Sequence, residues 1–136
     1  VVIDTPPSVG LLTSNAMISA TDLIIPVQAS YFALKGIENI METFNTIKER
    51  VNEHLRLLGV VITMVDKRKR HPLEVIGDLG EIFPSALIFN TQIREIAKVE
   101  ASPGYHQDIF TYAPGSSGAD DFKQFTEEIV DRCQNS

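Results

Sequence analysis

The chain has 136 residues, 43% hydrophobic and 22% charged, with 18 acidic residues against 12 Lys and Arg and a formal charge of -6. That length suits one domain able to bury about two-thirds of the surface its unfolded form exposes. The acidic balance disfavours a protein that simply coats itself with nucleic acid, and leaves room for a local basic patch. One cysteine, Cys133, cannot close an internal disulfide, and no run of eighteen apolar residues exists to span a membrane. With no zinc-ligand set either, the expectation is a reducing cytosol and no membrane.

The first predicted element is Val1-Val2-Ile3, three β-branched residues that read as a buried strand. It ends at Asp4-Thr5, and the turn Pro6-Pro7-Ser8 cannot continue a sheet. In an open α/β sheet, ligands bind outside the carboxyl ends of the strands. Asp4 and Thr5 are therefore a candidate phosphate or metal station, with a solvated turn as the plain alternative. A chain that opens inside an apolar strand reads as a portion of something larger; the alternative is a complete small domain with a ragged end.

Leu11 to Ala20 predicts a helix packing through Leu11, Leu12, Ala16 and Ser19 or Ala20, with Ser8 as its cap or as loop. Leu23 to Val27 is the next strand, continuously apolar as in a sheet covered on both faces. Pro26 should stand at its carboxyl end or beside an unpaired position. Gln28-Ala29-Ser30 then falls level with Asp4-Thr5. A long helix from Ala33 to Val51 carries Leu34, Ile37, Ile40, Met41, Phe44 and Ile47 at helical spacing. Gly36 in its first turn marks either a close backbone approach or a simple propensity defect.

Leu57 to Val65 is the most hydrophobic strand; it ends at Asp66, before the basic run Lys67-Arg68-Lys69-Arg70-His71. Pro72 is placed for the first turn of a helix reaching Phe83. Ala86 to Phe89 predicts a short fourth strand, Asn90-Thr91-Gln92 a loop on the carboxyl side, and Ile93 to Ala101 a short helix. Ile109 to Tyr112 reads as extended or as a hydrophobic anchor. Ala119 to Cys133 is the last helix, with Phe122, Phe125, Ile129 and Val130 inward and Asp120, Asp121, Lys123, Glu127, Glu128 and Asp131 mostly outward. Strands alternating with helices predict one α/β domain over 1–136: an incomplete doubly wound, mostly parallel sheet, helices on both faces, the first strand interior.

Parallel strands end on one edge, so Asp4-Thr5, Gln28, Thr63, Asp66 and Asn90-Thr91 should converge there, which favours a nucleotide site over scattered turns. Asp4 suits magnesium held through water, or the orienting of a hydrolytic water. Thr5 suits donation to a γ-phosphate. Neither G-x-x-x-x-G-K-[ST] nor G-x-G-x-x-G occurs in the sequence, so this stretch alone lacks a phosphate cradle. The run from Lys67 to His71, helped by Arg94 and Lys98, suits a nucleic-acid backbone; the plain alternative is a solvated or salt-bridged loop. His54 and His106 read as surface or satisfied polar residues, Ser8 has no partner histidine within its motif, and Cys133 reads as inert.

The segment from Val1 to Ser8 resembles the Walker B and switch II region of the ParA/Soj partition ATPases, the deviant-Walker P-loop class that includes MinD. The resemblance extends in order through Ile24 to Gln28, Tyr31 to Gly36, Gly59 to Asp66, Glu100-Ala101, Tyr112 to Pro114 and Ser117 to Ala119. It implies a P-loop NTPase-like fold whose lysine-bearing P-loop would precede Val1, so this portion alone is expected to be inactive. It also implies ATP and Mg2+ as cofactors, with Asp4 and Thr5 catalytic and Asp4 holding magnesium through water. Thr63 and Asp66 would lie toward the base, and the loop with Asn90, Thr91 and Gln92 would approach the adenine. Many relatives carry a proline–arginine pair where this loop reads Asn90-Thr91-Gln92-Ile93-Arg94. The implied partners are a second protomer in an ATP-dependent homodimer, nonspecific DNA reached by Lys67, Arg68, Lys69, Arg70, Arg94 and Lys98, and a stimulating ParB-type protein, all at the nucleoid. MinD-like membrane cycling is the alternative within the class, disfavoured by the acidic end from Glu127 to Asp131. A non-catalytic α/β interaction domain is the alternative outside it.

Overall fold

Five alternating segments build a parallel sheet: strand β1 (Asp22–Gln28), helix α2 (Ala33–Arg50), strand β2 (Arg56–Val65), helix α3 (His71–Ile82) and strand β3 (Ile88–Arg94). Helix α1 (Leu11–Ser19) precedes them; α4 (Ala97–Ala101), α5 (Ile109–Tyr112) and α6 (Ser117–Gln134) follow. This computed structural model describes residues 1–6, 8–29, 33–66 and 71–135, leaving aside the side chains of 33–35 and 71–74. Among the described residues the strand order is β1-β2-β3, all parallel, in an α/β fold.

Helices cover both faces. On one, Ile37 of α2 and Val75, Leu79 and Phe83 at α3 pack on Ile25, Val27, Val60, Ile62 and Val65. On the other, Phe122, Phe125 and Ile129 of α6 lie on Leu58, Val61, Phe89 and Ile93. Central β2 is therefore buried without a break from Leu58 to Ile62, while β1, at the edge, alternates buried Ile25 and Val27 with exposed Pro26 and Gln28. Ala29 donates its N–H to Thr63 O at 3.0 Å, so Val27 and Ile25 point the same way and Pro26 points outward. The missing proline donor thus costs the ladder nothing.

Two local devices make close packing possible. At Gly59 a Cβ would stand 2.7 Å from Leu87 O, from the Phe89 ring and from Arg132 Nη1, so only glycine fits under the β3–α6 layer. Near the end of β2 the register breaks between Ile62 and Val65, and Met64 adopts a left-handed φ of 54°. The extra residue reverses the alternation, so Val65 joins Ile62 in the core and Met64 is 43% exposed. A left-handed residue with a side chain costs on the order of 1–2 kcal/mol, which the burial of Val65 helps to offset.

Several expectations are corrected. Val1 to Ile3 forms no strand here, and Val1 and Val2 are fully exposed. Three residues with no neighbouring strand gain too few ladder bonds to offset the entropy of ordering them. Helix α1 buries Thr13 and Met17, one turn apart, while Leu11 is 83% and Leu12 68% exposed. Its start is tied not by a Ser8 cap but by Thr13, whose hydroxyl donates to Ser8 O at 2.8 Å. Its far end is held by Asn52, whose amide Nδ2 lies 3.2, 3.1 and 2.8 Å from the carbonyl oxygens of Met17, Ile18 and Ala20. Among the described residues nothing lies within reach of a Cβ at Gly36, which favours the propensity defect over a close approach. Ile109 to Tyr112 is a helical turn capped by Asp108, which accepts from Thr111 N at 2.9 Å. Val130 faces solvent, and Asp121 is buried.

Candidate functional site at the carboxyl edge of the sheet

The carboxyl ends of the three strands gather Gln28, Thr63, Asp66 and Arg94 along one edge. Gln28 is register partner of Thr63, and Val65 of Arg94. Thr63 is half-buried and donates its hydroxyl to Val27 O at 3.4 Å, linking β1 to β2 where they end. Glu95 donates its N–H to Val65 O at 3.2 Å, which carries β3 one residue beyond its last ladder pair. Asp66 is half-buried and engaged. The edge is thus a row of polar groups on backbone tied across the sheet at Ala29–Thr63 and Glu95–Val65.

Asp4 is exposed and Thr5 half-buried, both on irregular chain outside the sheet. Asp4 would serve magnesium through a water, as a single carboxylate beside the ion's own hydration. That fits an ion which keeps several waters and takes one or two carboxylates beside phosphate oxygens. Among the described residues no three His, Cys, Asp or Glu side chains gather into a cage for a metal. For a triphosphate the fit is incomplete, since no glycine–lysine loop lies within the 136 residues.

Asn90, Thr91 and Gln92 are not a loop: β3 runs through them to Arg94. Their place in the sheet follows from α6. Glu128 accepts from Asn90 N at 2.9 Å and from Thr91 N at 3.0 Å, so a helix carboxylate takes the edge donors that a fourth strand would otherwise use. Arg132 donates to Glu128 Oε1 at 3.0 Å, to Leu58 O at 3.0 Å and to Ile88 O at 2.9 Å, and stacks 3.9 Å above the Phe89 ring. Burial, the largest single influence on Glu128, pushes its carboxyl up. The N–H groups of Asn90 and Thr91, the Thr91 side chain and Arg132 outweigh it, and the net direction is down.

Arg94 closes β3 rather than opening a helix. Its Nε lies 2.8 Å from Asp121 Oδ2 and its Nη2 lies 2.6 Å from Oδ1; its backbone N–H also donates to Oδ2 at 3.0 Å. The hydrogen bond to Asp121 is the main reason the guanidinium pKa rises, burial opposing it, and Asp120 adds a further negative charge nearby. Lys98 is exposed on α4. Lys67, Arg68, Lys69 and Arg70 lie outside the described residues, as do Tyr31 and Phe32.

Sequence reading missed Asp121, Glu128 and Arg132, which it set on the wet side of the last helix or passed over. A signal for them existed. Asp121, Phe125, Glu128 and Arg132 recur at four, three and four, and so share one helix face with the apolar stripe.

Residues 1–57 match a family described as an AAA domain. The whole chain is 34% identical to the chromosome-partitioning ATPase Soj of Thermus thermophilus, covering 54% of it. Over 96% of its length it is 32% identical to the sporulation initiation inhibitor protein Soj of Bacillus subtilis, covering 51%. Among solved structures, cobyrinic acid a,c-diamide synthase from Mycobacterium smegmatis with bound ADP and magnesium superimposes with a TM-score of 0.62 and 31% identity. That match covers 68% of this chain and 38% of the synthase. Fold and edge therefore define a parallel-sheet α/β protein of the P-loop NTPase-like class. Within it, the chain is similar over its whole length to ParA/Soj-type partition proteins, and spans about half the length of the curated relatives it matches. Among the described residues no helix is long and apolar enough to cross a membrane.

Proposed function

We propose that the intact protein is an ATP- and magnesium-dependent partition ATPase whose ATP-bound homodimer holds DNA without sequence preference and releases it when a ParB-type partner stimulates hydrolysis. The observation that carries this reading is the match of all 136 residues to a chromosome-partitioning Soj protein. The row of Gln28, Thr63 and Asp66 at the carboxyl edge supports it, because that is where ligands of such sheets bind.

In this reading Asp4 orients a magnesium-bound water, Thr5 donates to the terminal phosphate, and Thr63 and Asp66 line the side of the base. Magnesium, when bound, neutralises phosphate charge. The phosphate cradle belongs to a part of the intact protein outside these residues. Charge for DNA comes from Lys67 to Arg70 and from exposed Lys98, doubled in a dimer, and places the protein at the nucleoid.

The test is retention of DNA by the intact protein with and without ATP, alongside turnover of an Asp4→Ala variant. The expected result is retention only with ATP, and turnover cut at least tenfold while nucleotide binding persists. Retention that ignores nucleotide removes the DNA role, and unchanged turnover removes the role of Asp4.

A further inference from the structure

Helix α1 buries two residues, Thr13 and, one turn later, Met17, and only the second is apolar. Met17 packs with Phe44, Ile47 and Leu55, which seats α1 against α2 and the start of β2. Thr13 is 8% exposed. A buried hydroxyl needs a partner, so where Thr13 sends its one proton is informative.

The proton goes backwards along the chain, to Ser8 O at 2.8 Å, with Pro6 O beside it at 3.4 Å. Threonines within a helix ordinarily return the proton to the carbonyl one turn earlier, as Thr43, Thr46 and Thr126 do here. Thr13 instead reaches past the start of α1, five residues back to Ser8 and seven back to Pro6. Among the described residues, no other hydrogen bond ties the chain from Val1 to Ser8 to the fold. Pro6 fixes its own φ and keeps Thr5 out of the helical region. A hold on the Pro6 carbonyl therefore passes to Thr5 and, one residue further back, to Asp4.

We infer that Thr13 is a positioning residue: its hydroxyl anchors the carbonyls of Ser8 and Pro6 to α1, and through Met17 to the core, and so fixes where Asp4 and Thr5 stand. That Asp4 and Thr5 act on nucleotide rests on the function proposed above; the anchor does not. Acting through the loop rather than on the substrate, Thr13 should alter rate more than affinity. A misplacement of about 1 Å can cost on the order of 100-fold in rate.

The experiment uses the intact protein with Thr13→Val, which keeps the branched shape but has no proton to give, and Thr13→Ser, which keeps the proton. Turnover at saturating ATP should fall about tenfold in Thr13→Val, while the Kd for ATP stays within about twofold of the wild type. Thr13→Ser should recover turnover to within about threefold. Backbone amide relaxation by NMR in the nucleotide-free protein supplies the second readout. The order parameter at Ser8 and Val9 should drop from the rigid range near about 0.85 to below about 0.6 in Thr13→Val alone. A Thr13→Val protein with wild-type order at Ser8 overturns the anchor. So does a Thr13→Ser protein as impaired as Thr13→Val, since the methyl group and not the proton would then matter. Order lost at unchanged turnover removes the positioning role if Asp4→Ala is impaired. If Asp4→Ala also turns over ATP at the wild-type rate, the proposed function loses Asp4, and order in the two Thr13 variants still decides the anchor.

Discussion

The two flanks of the sheet are finished in opposite ways. Along β3, carboxylates of α6 take the backbone N–H groups of Asn90, Thr91 and Arg94, and Arg132 lies flat on Phe89. Along β1, Pro26 offers no donor and Gln28 is exposed, while the preceding segment leaves Val1, Val2, Leu11 and Leu12 in solvent. One flank is closed by charged side chains acting as a substitute strand. The other, among the described residues, is blunted by a proline, and the segment before it carries exposed apolar residues. The difference teaches that acidic residues on a helix can be as structural as its apolar stripe, because an edge strand's donors need acceptors as much as its side chains need a core.

The largest expected effect tests the closed flank. Gly59→Ala should cost about 3 kcal/mol, since backbone at Leu87 and the Phe89–Arg132 stack must both give way. Gly36→Ala, with no described residue within reach of its Cβ, should instead gain about 0.5–1 kcal/mol. Denaturant midpoints of the two variants compare them directly; equal effects would erase the distinction between a required and an incidental glycine.

Arg132→Ala comes next, at roughly 2–3 kcal/mol, because Leu58 O, Ile88 O and Glu128 lose a shared donor together. A double variant with Glu128→Gln should cost less than the sum of the singles, and strict additivity would show that the three groups do not act as a network. A pH titration sharpens the same point. The Glu128 carboxyl is held below its ordinary range, so its contribution is full above the unfolded value near 4.5 and fades as pH falls through the folded one. The acid limb of thermal stability should therefore flatten in Glu128→Gln, and an unaltered limb would remove Glu128 from the acid response. The smallest effect belongs to the open flank: Leu12→Ser should change stability by less than about 0.5 kcal/mol, read from the same midpoints.

Much of the fold was legible because its signals were local. The periodic stripe from Ile37 to Ile47 marks α2, and the unbroken apolar run of β2 marks a strand covered on both faces. Parallel order and helices on both sides follow from strands alternating with helices. What was not legible depends on partners distant in sequence. Asn90-Thr91-Gln92 reads as loop because its hydrogen-bond acceptors lie on α6, about forty residues away. Leu11 and Leu12 read as core because apolarity alone does not say which side of a helix meets a neighbour. At the edge, the apolar run of β2 already marks where Thr63 and Asp66 stand along the strand, whereas the bulge at Met64 that reverses the alternation leaves no mark in composition.

Asn52 ties together segments that the chain makes far apart in time. The carbonyls ending α1 wait for an amide 32 to 35 residues further along, at the corner between α2 and β2. The helix made early is therefore the helix secured late, and its last turn can fray until that corner exists. Asn52→Ala should then hasten unfolding and leave the refolding rate almost untouched; equal slowing of refolding would place the corner in the folding nucleus instead.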